Sequence, residues 1–113
     1  MDVILLDVTA PLKSGQSYLE NPAAFLACGE LKGGIDPAGA DEHWKTAATT
    51  LQRIRATFQT KDLSPSLFFA GAAIEKSMAE EIFQQLQSGE LSYAANRTRE
   101  NQMNALADWL IQL

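Results

Sequence analysis

Apolar residues recur at helical spacing through most of the chain. The clearest case lies between Ala40 and Phe58, where intervals of three and four place the apolar residues on one helix face. These residues are Trp44, Ala47, Leu51, Ile54 and Phe58. The pattern lasts only about two heptads, which favours core packing in a small bundle over a long coiled coil. We expect this helix to begin at Asp36-Pro37 or at Asp41, because an acidic residue there complements the helix dipole.

Two further helices are predicted after this one. Ser64-Pro65 is typical of a helix start and Gly89 of a helix end. The apolar positions between them are Leu67, Gly71, Ile74, Met78, Ile82 and Leu86. The final helix is predicted over about Arg97–Ile111. Its inward stripe consists of Met103, Leu106, Ala107, Leu110 and Leu113. Trp109 and Ile111 lie off this stripe, which indicates a helix that is covered on more than one side or binds a partner.

The first third of the chain predicts little regular structure. The apolar run Val3–Val8 predicts a buried strand, which needs a pairing partner for its backbone, either near Glu30–Ile35 or in a second copy of the chain. Asn21-Pro22 ahead of Ala23–Cys28 predicts a short helix. The four glycines and Pro37 between Gly29 and Gly39 predict a loop.

These elements predict a mainly α fold. We expect residues 1–113 to form a single domain of three to four helices with one short N-terminal β-strand, and an α+β fold is the alternative. The predicted core consists of Trp44, Leu51, Ile54, Phe58, Ile74, Met78, Ile82, Leu86, Leu106 and Leu110.

Composition and charge narrow the class of protein. The 113 residues are 46% hydrophobic and 20% charged, as in ordinary globular proteins. No stretch approaches the roughly 18 apolar residues of a membrane span, and no secretory pattern opens the chain, so a cytoplasmic protein is expected. The net charge of −5 lies entirely in residues 1–42. This acidic third favours a basic protein partner and disfavours nucleic-acid phosphate.

Residues with catalytic potential are few. Cys28 is the only cysteine, which excludes an intrachain disulfide and a cysteine-based zinc site, and His43 is the only histidine. A buried structural role is expected for Cys28. We therefore predict no catalytic, cofactor-binding or metal-binding residues. The alternative is an enzyme or small-ligand-binding domain whose site forms near Asp7, Cys28 and His43.

The sequence favours a non-enzymatic protein that acts through protein–protein contacts. We expect an adaptor, a chaperone-like factor or an inhibitor. We also expect the chain to self-associate as a homodimer. The predicted interaction residues are Trp109, Leu110, Ile111, Leu113, Arg97 and Arg99. The two arginines can pair with Glu100 or Glu90, or reach an acidic partner. A nucleic-acid-associated regulator is the second alternative, and it is disfavoured because no helix presents a basic face.

Overall fold

The computed structural model describes residues 2–32, 37–72 and 76–113, with side chains at all of these except 37–41 and 76–77. Its strands and helices are β1 (Val3–Leu6), β2 (Phe25–Lys32), α1 (Pro37–Gln59), β3 (Ser66–Gly71), α2 (Lys76–Ser88), β4 (Tyr93–Asn96) and α3 (Glu100–Ile111). Two short 3-10 turns, Tyr18–Glu20 and Pro22–Ala24, lie between β1 and β2. None of the helices in the described ranges combines the length and apolar content needed to cross a bilayer.

The strands form one mixed sheet in the order β1-β2-β3-β4. β1 runs antiparallel to β2, whereas β2, β3 and β4 are parallel to one another. The start of β1 therefore lies at the same end of the sheet as the last residues of the other strands. We call this the carboxyl end; it is formed by Asp2, Lys32, Gly71 and Asn96. The opposite, amino end carries Leu6 and Phe25.

Helices cover both faces of the sheet. On one face, α1 and α2 pack on the strands through a buried cluster made of Cys28, Trp44, Ala47, Leu51, Ile54, Phe58, Leu67, Phe69, Met78, Ile82 and Leu91. On the other face, α3 packs on a second cluster made of Ala27, Phe68, Ala70, Ala95 and Leu106. Residues alternate between the faces along each strand, so Leu67 and Phe69 face α1 and α2 while Phe68 and Ala70 face α3.

Aromatic ring contacts join the helices to both faces of the sheet. Trp44 of α1 meets Phe69 edge-on, with ring centroids 5.0 Å apart and planes inclined at 69°. On the other face, Trp109 of α3 stacks on Tyr93 at 5.0 Å and meets Phe68 edge-on at 6.0 Å. Such pairs add about 0.5–1.5 kcal/mol beyond the burial of area.

The prediction of a mainly α fold is wrong, and the α+β alternative is correct. The helix predicted from Ser64 to Gly89 is two elements, because β3 precedes α2. Leu67–Gly71 is buried at every position, as is typical of a strand covered on both faces. A continuous apolar run satisfies helical and strand spacing alike, so periodicity alone could not separate the two.

The prediction of a loop from Gly29 to Gly39 is also wrong where the structure describes it. Gly29–Lys32 belongs to β2, whereas residues 33–36, including Ile35 and Asp36, lie outside the described residues. The short helix predicted after Asn21 is only the 3-10 turn Pro22–Ala24, although Asn21 Oδ1 does accept a hydrogen bond from Ala23 N–H at 3.2 Å. The strand then begins at Phe25.

Other expectations are confirmed. The predicted stripe of α1 is buried in full, and α1 begins at Pro37. The final helix exists as α3, with Leu106 buried and Met103 and Leu110 half-buried, although Ala107 and Leu113 are exposed. β1 finds its partner within the chain, since β2 includes Glu30. The predicted core residue Ile74 lies outside the described residues.

Replacing Gly29 by alanine should destabilise the protein. A Cβ atom at Gly29 would meet ring atoms of Phe68 at 2.2 Å, and that ring is buried and cannot move aside freely. We expect Gly29→Ala to lower the free energy of unfolding by about 1–3 kcal/mol, as overpacking does, in urea denaturation. Adding Phe68→Leu should restore part of the loss. An unchanged urea midpoint for Gly29→Ala would contradict this account of the sheet.

Candidate active site

Two carboxylates meet at the carboxyl end of the sheet. Asp2 immediately precedes β1, and the antiparallel register of Val3 with Gly29 places it beside Glu30 of β2. The backbone N–H of Asp2 donates to Glu30 Oε2 at 3.0 Å, and the backbone N–H of Leu31 donates to Asp2 Oδ2 at 2.8 Å. Each strand therefore supplies a backbone donor that orients the carboxylate of the other.

Lys32 completes this group. It lies two residues after Glu30 on the same strand, so both side chains point to the same face of the sheet. Its positive charge acts on both carboxylates and favours their ionised forms. Glu30 is 3% exposed, Lys32 is half-buried and Asp2 is exposed. The group therefore runs from solvent into the sheet.

The two carboxyl groups have opposite pKa shifts. The hydrogen bond from Leu31 N–H, followed by one with Glu30, lowers the pKa of Asp2. Burial, followed by the hydrogen bond with Asp2, raises the pKa of Glu30. Of the two groups, Glu30 thus keeps its proton to the higher pH. Such a pair can exchange its proton for a divalent cation, because metal ligands bind in their deprotonated form.

The donor set suits a hard cation. Magnesium prefers oxygen ligands, is held through one or two carboxylates, and keeps several waters or substrate oxygens. Asp2 and Glu30 supply that number of carboxylates. In the part of the chain that the structure describes, no group of three or more His, Cys, Asp or Glu residues is placed to hold a metal. A cation at Asp2 and Glu30 would therefore draw its remaining ligands from water and substrate.

The residues that the sequence suggested for an enzyme site are apart. Asp7 follows β1 at the amino end, where its carboxylate accepts hydrogen bonds from Thr9 N–H at 2.9 Å and Thr9 Oγ1 at 2.6 Å, which lower its pKa. Cys28 is buried beneath α1. His43 is exposed on α1. No hydrogen bond among the described residues joins these three.

The predicted interaction residues fall into two groups. Trp109 and Leu110 are half-buried against the chain's own sheet, so Tyr93 and Phe68 cover the tryptophan that looked surplus in the sequence. Ile111 and Leu113 are exposed, at 82% and 42%. Self-association through these two residues stays a prediction.

Arg97 and Arg99 are exposed in the turn between β4 and α3. The expected pairing with Glu90 is not seen, because Glu90 Oε2 lies 3.6 Å from Arg55 Nη1 and its carbonyl also accepts from Arg55. Neither Arg97 nor Arg99 forms an ion pair with Glu100 among the described contacts.

Sequence reasoning missed Asp2, Glu30 and Lys32. The available signal was a Glu-x-Lys spacing at the end of an apolar run, with an aspartate 28 residues earlier beside another apolar run. The glycines on either side of Glu30-Leu31-Lys32 make this segment resemble a loop. An exposed Glu and Lys are common in loops and indicate no site.

Comparison with known proteins gives consistent matches. The sequence model of the family "Restriction endonuclease BsobI" matches residues 1–113. The chain is 52% identical over 113 residues to the type II restriction enzyme BsoBI of Geobacillus stearothermophilus, covering 100% of this chain and 35% of that protein. It is 58% identical over 98 residues to the type II restriction enzyme AvaI of Nostoc sp. and to that of Anabaena variabilis, covering 87% of this chain and 31% of each. The chain thus spans about a third of the length of these curated relatives.

These matches overturn two expectations from the sequence. The non-enzymatic adaptor, chaperone-like factor or inhibitor is wrong, because the relatives are restriction enzymes, and the enzyme alternative fits better. The expectation that nucleic acid is a disfavoured partner is wrong for the same reason, since endonucleases as a class cleave nucleic acid. The net charge of −5 is a sum over the chain and does not show how charge is distributed over its surface.

Cys28 should be unreactive in the folded protein. Burial raises the pKa of its thiol to about 11, whereas a free cysteine titrates near 8.5, so at pH 8 the thiolate is on the order of 100-fold scarcer. We expect 5,5′-dithiobis(2-nitrobenzoate) to label the native chain at least about 100-fold more slowly than the urea-unfolded chain. Cys28→Ser supplies the blank. Equal labelling rates in the two states would contradict the buried position of Cys28 and would make a nucleophilic role for its thiol tenable.

Proposed function

Because the chain belongs to the BsobI restriction endonuclease family, we propose that it carries the catalytic residues of a metal-dependent, DNA-cleaving enzyme. The observation that carries the proposal is the paired carboxyl group of Asp2 and Glu30 with Lys32 beside it. Carboxylate oxygens can hold a divalent cation and an ammonium group can stabilise developing negative charge, and both contributions assist phosphodiester hydrolysis. The cytoplasmic location expected from the sequence fits, because DNA is encountered there.

The cation and the protein have separate tasks in this proposal. A bound Mg²⁺ would polarise a phosphate oxygen and lower the pKa of a bound water. Asp2 and Glu30 would hold the cation, since their side chains come from adjacent strands and carry oxygen donors. Metal binding requires the ionised form of both groups, which the lowered pKa of Asp2 favours and the raised pKa of Glu30 opposes.

Lys32 has a different role. Its ammonium group can donate to a non-bridging phosphate oxygen and stabilise the negative charge that develops during attack. The same positive charge acts on both carboxyl groups and lowers their pKa values. Because backbone hydrogen bonds between neighbouring strands orient the Asp2 and Glu30 carboxylates, little reorganisation of this pair is needed when the substrate arrives.

Metal binding tests the carboxylate pair directly. In isothermal titration with Mn²⁺, we expect the affinity of the chain to rise with pH through the raised pKa of Glu30, because the ion displaces a proton. Asp2→Asn and Glu30→Gln should each weaken binding at least about 10-fold, since each removes one of the two protein ligands. Asp7→Asn is the matched control, because it removes a carboxylate at the amino end of the sheet, far from the pair, and should leave the affinity unchanged. Equal Mn²⁺ affinity in the parent and in Glu30→Gln would contradict the proposed site.

Cleavage tests Lys32 separately from metal binding. We expect the chain to nick supercoiled plasmid DNA in Mg²⁺, and Lys32→Gln to reduce the rate by about 100-fold, as loss of one charge-stabilising donor does. The Mn²⁺ affinity of Lys32→Gln should stay within a few-fold of the parent value. Lys61→Gln removes an exposed lysine from the turn after α1 and should cleave at the parent rate. Parent-like cleavage by Lys32→Gln, or no Mg²⁺-dependent nicking by the parent, would overturn the assignment.

A further inference from the structure

We infer that Arg97 and Arg99 bind backbone phosphates of DNA to one side of the phosphate that is cleaved. This inference rests on the proposed function, because it assigns part of the substrate contact to a turn outside the group formed by Asp2, Glu30 and Lys32. The turn joins β4 to α3 and contains Asn96–Arg99.

Sheet register places this turn at the same end as the carboxylates. Lys32 of β2 is paired with Gly71 of β3, and Gly71 is paired with Asn96 of β4. Adjacent strands lie about 4.8 Å apart, so Asn96 is about 10 Å from Lys32 across the sheet. Because one DNA strand advances about 3.4 Å along the helix axis per phosphate, that separation corresponds to about three nucleotides. A duplex seated on Asp2 and Glu30 with its axis running across the strands would therefore reach the arginine turn.

The backbone of the turn is fixed before any ligand binds. Arg97 N–H donates to the Gly71 carbonyl at 2.8 Å, and Arg99 N–H donates to the Asn96 carbonyl at 3.1 Å. Asn96 Oδ1 accepts from Thr98 N–H at 2.9 Å and from Thr98 Oγ1 at 2.7 Å. Binding would thus order the arginine side chains but not the main chain, which keeps its entropic cost small.

The two guanidinium groups are available to an anion. Both arginines are exposed, and within residues 2–32, 37–72 and 76–113 no contact pairs either of them with an acidic side chain. Arg55 shows the contrast, since its charge is already engaged by Glu90. The planar guanidinium matches a phosphate with two parallel hydrogen bonds. An exposed arginine pair beside a nuclease centre is therefore suited to phosphates, and such contacts position DNA without reading its sequence.

Salt-dependent DNA binding tests the inference. We would measure the fluorescence anisotropy of a labelled duplex of about two helical turns in Ca²⁺, over a series of NaCl concentrations. Each phosphate contact contributes about one unit to the slope of log Kobs against log salt. The double variant Arg97→Gln/Arg99→Gln should therefore make the slope about two units shallower. It should also weaken binding to duplexes of unrelated sequence by the same factor, because phosphate contacts do not depend on sequence. Arg97→Lys/Arg99→Lys should keep most of the slope, because the charges remain.

The matched control removes the same charge elsewhere. Arg53→Gln/Lys61→Gln neutralises one exposed cation in the second half of α1 and one in the following turn, away from the carboxyl end. We expect its slope and affinity to equal those of the parent. A parent-like slope for Arg97→Gln/Arg99→Gln, with thermal unfolding unchanged, would overturn the inference and leave an acidic protein as the partner of these arginines.

The two proposals fail in different ways. If Asp2→Asn still cleaves DNA while the arginine variant loses its salt dependence, the proposed catalytic site is wrong and the phosphate contacts stand. If Asp2→Asn abolishes cleavage while the arginine variant binds DNA like the parent, the catalytic site stands and the arginine inference is wrong. Binding in Ca²⁺ and cleavage in Mg²⁺ are thus separate readouts.

Discussion

The register between β1 and β2 is the constraint on which the site depends. It pairs Val3 with Gly29 and so places Asp2 beside Glu30. There a backbone N–H of each strand donates a hydrogen bond to the carboxylate carried by the other. A slip of one residue would move Asp2 to the other face of the sheet. Val3 and Leu5 resist such a slip, because both pack against the cluster beneath α3 and would be turned away from it. Apolar packing on the α3 face of the sheet thus fixes the position of the Asp2 and Glu30 carboxylates on the opposite face.

The two carboxyl groups of the site affect the stability of the fold in opposite ways, as the directions of their pKa shifts show. Burial raises the pKa of Glu30, so its contribution to stability is present below the ordinary glutamate pKa and is lost as the pH rises through the raised value. Asp2 behaves oppositely: its lowered pKa contributes stability above the ordinary aspartate pKa, which is lost as the pH falls through the lowered value. The ionised form of Glu30 is therefore the destabilising form. A cation bound in place of the proton would offset the cost of burying this charge, which links metal binding to stability.

What the sequence could predict follows from whether the signal is local. The α1 stripe from Trp44 to Phe58 is local and was predicted residue by residue. β3 was taken for a helix because the buried run from Leu67 to Gly71 has no period of its own. The carboxylate pair was missed for a further reason: Asp2 and Glu30 are 28 residues apart and meet only through strand pairing. A charge sum over the chain could not show that the arginine turn shares an end with them.

The two ends of the proposed DNA contact are joined mechanically through Phe68. Its ring lies over Gly29, where even a Cβ atom would overlap it, and Gly29 is the neighbour of Glu30. The same ring meets Trp109 of α3 edge-on at 6.0 Å, and α3 begins directly after the arginine turn. Close packing transmits a shift at one contact to the next, because the core has little free volume. Trp109, which the sequence indicated as a contact for a partner, therefore helps to hold α3 and the arginine turn before it at a set distance from the carboxylates.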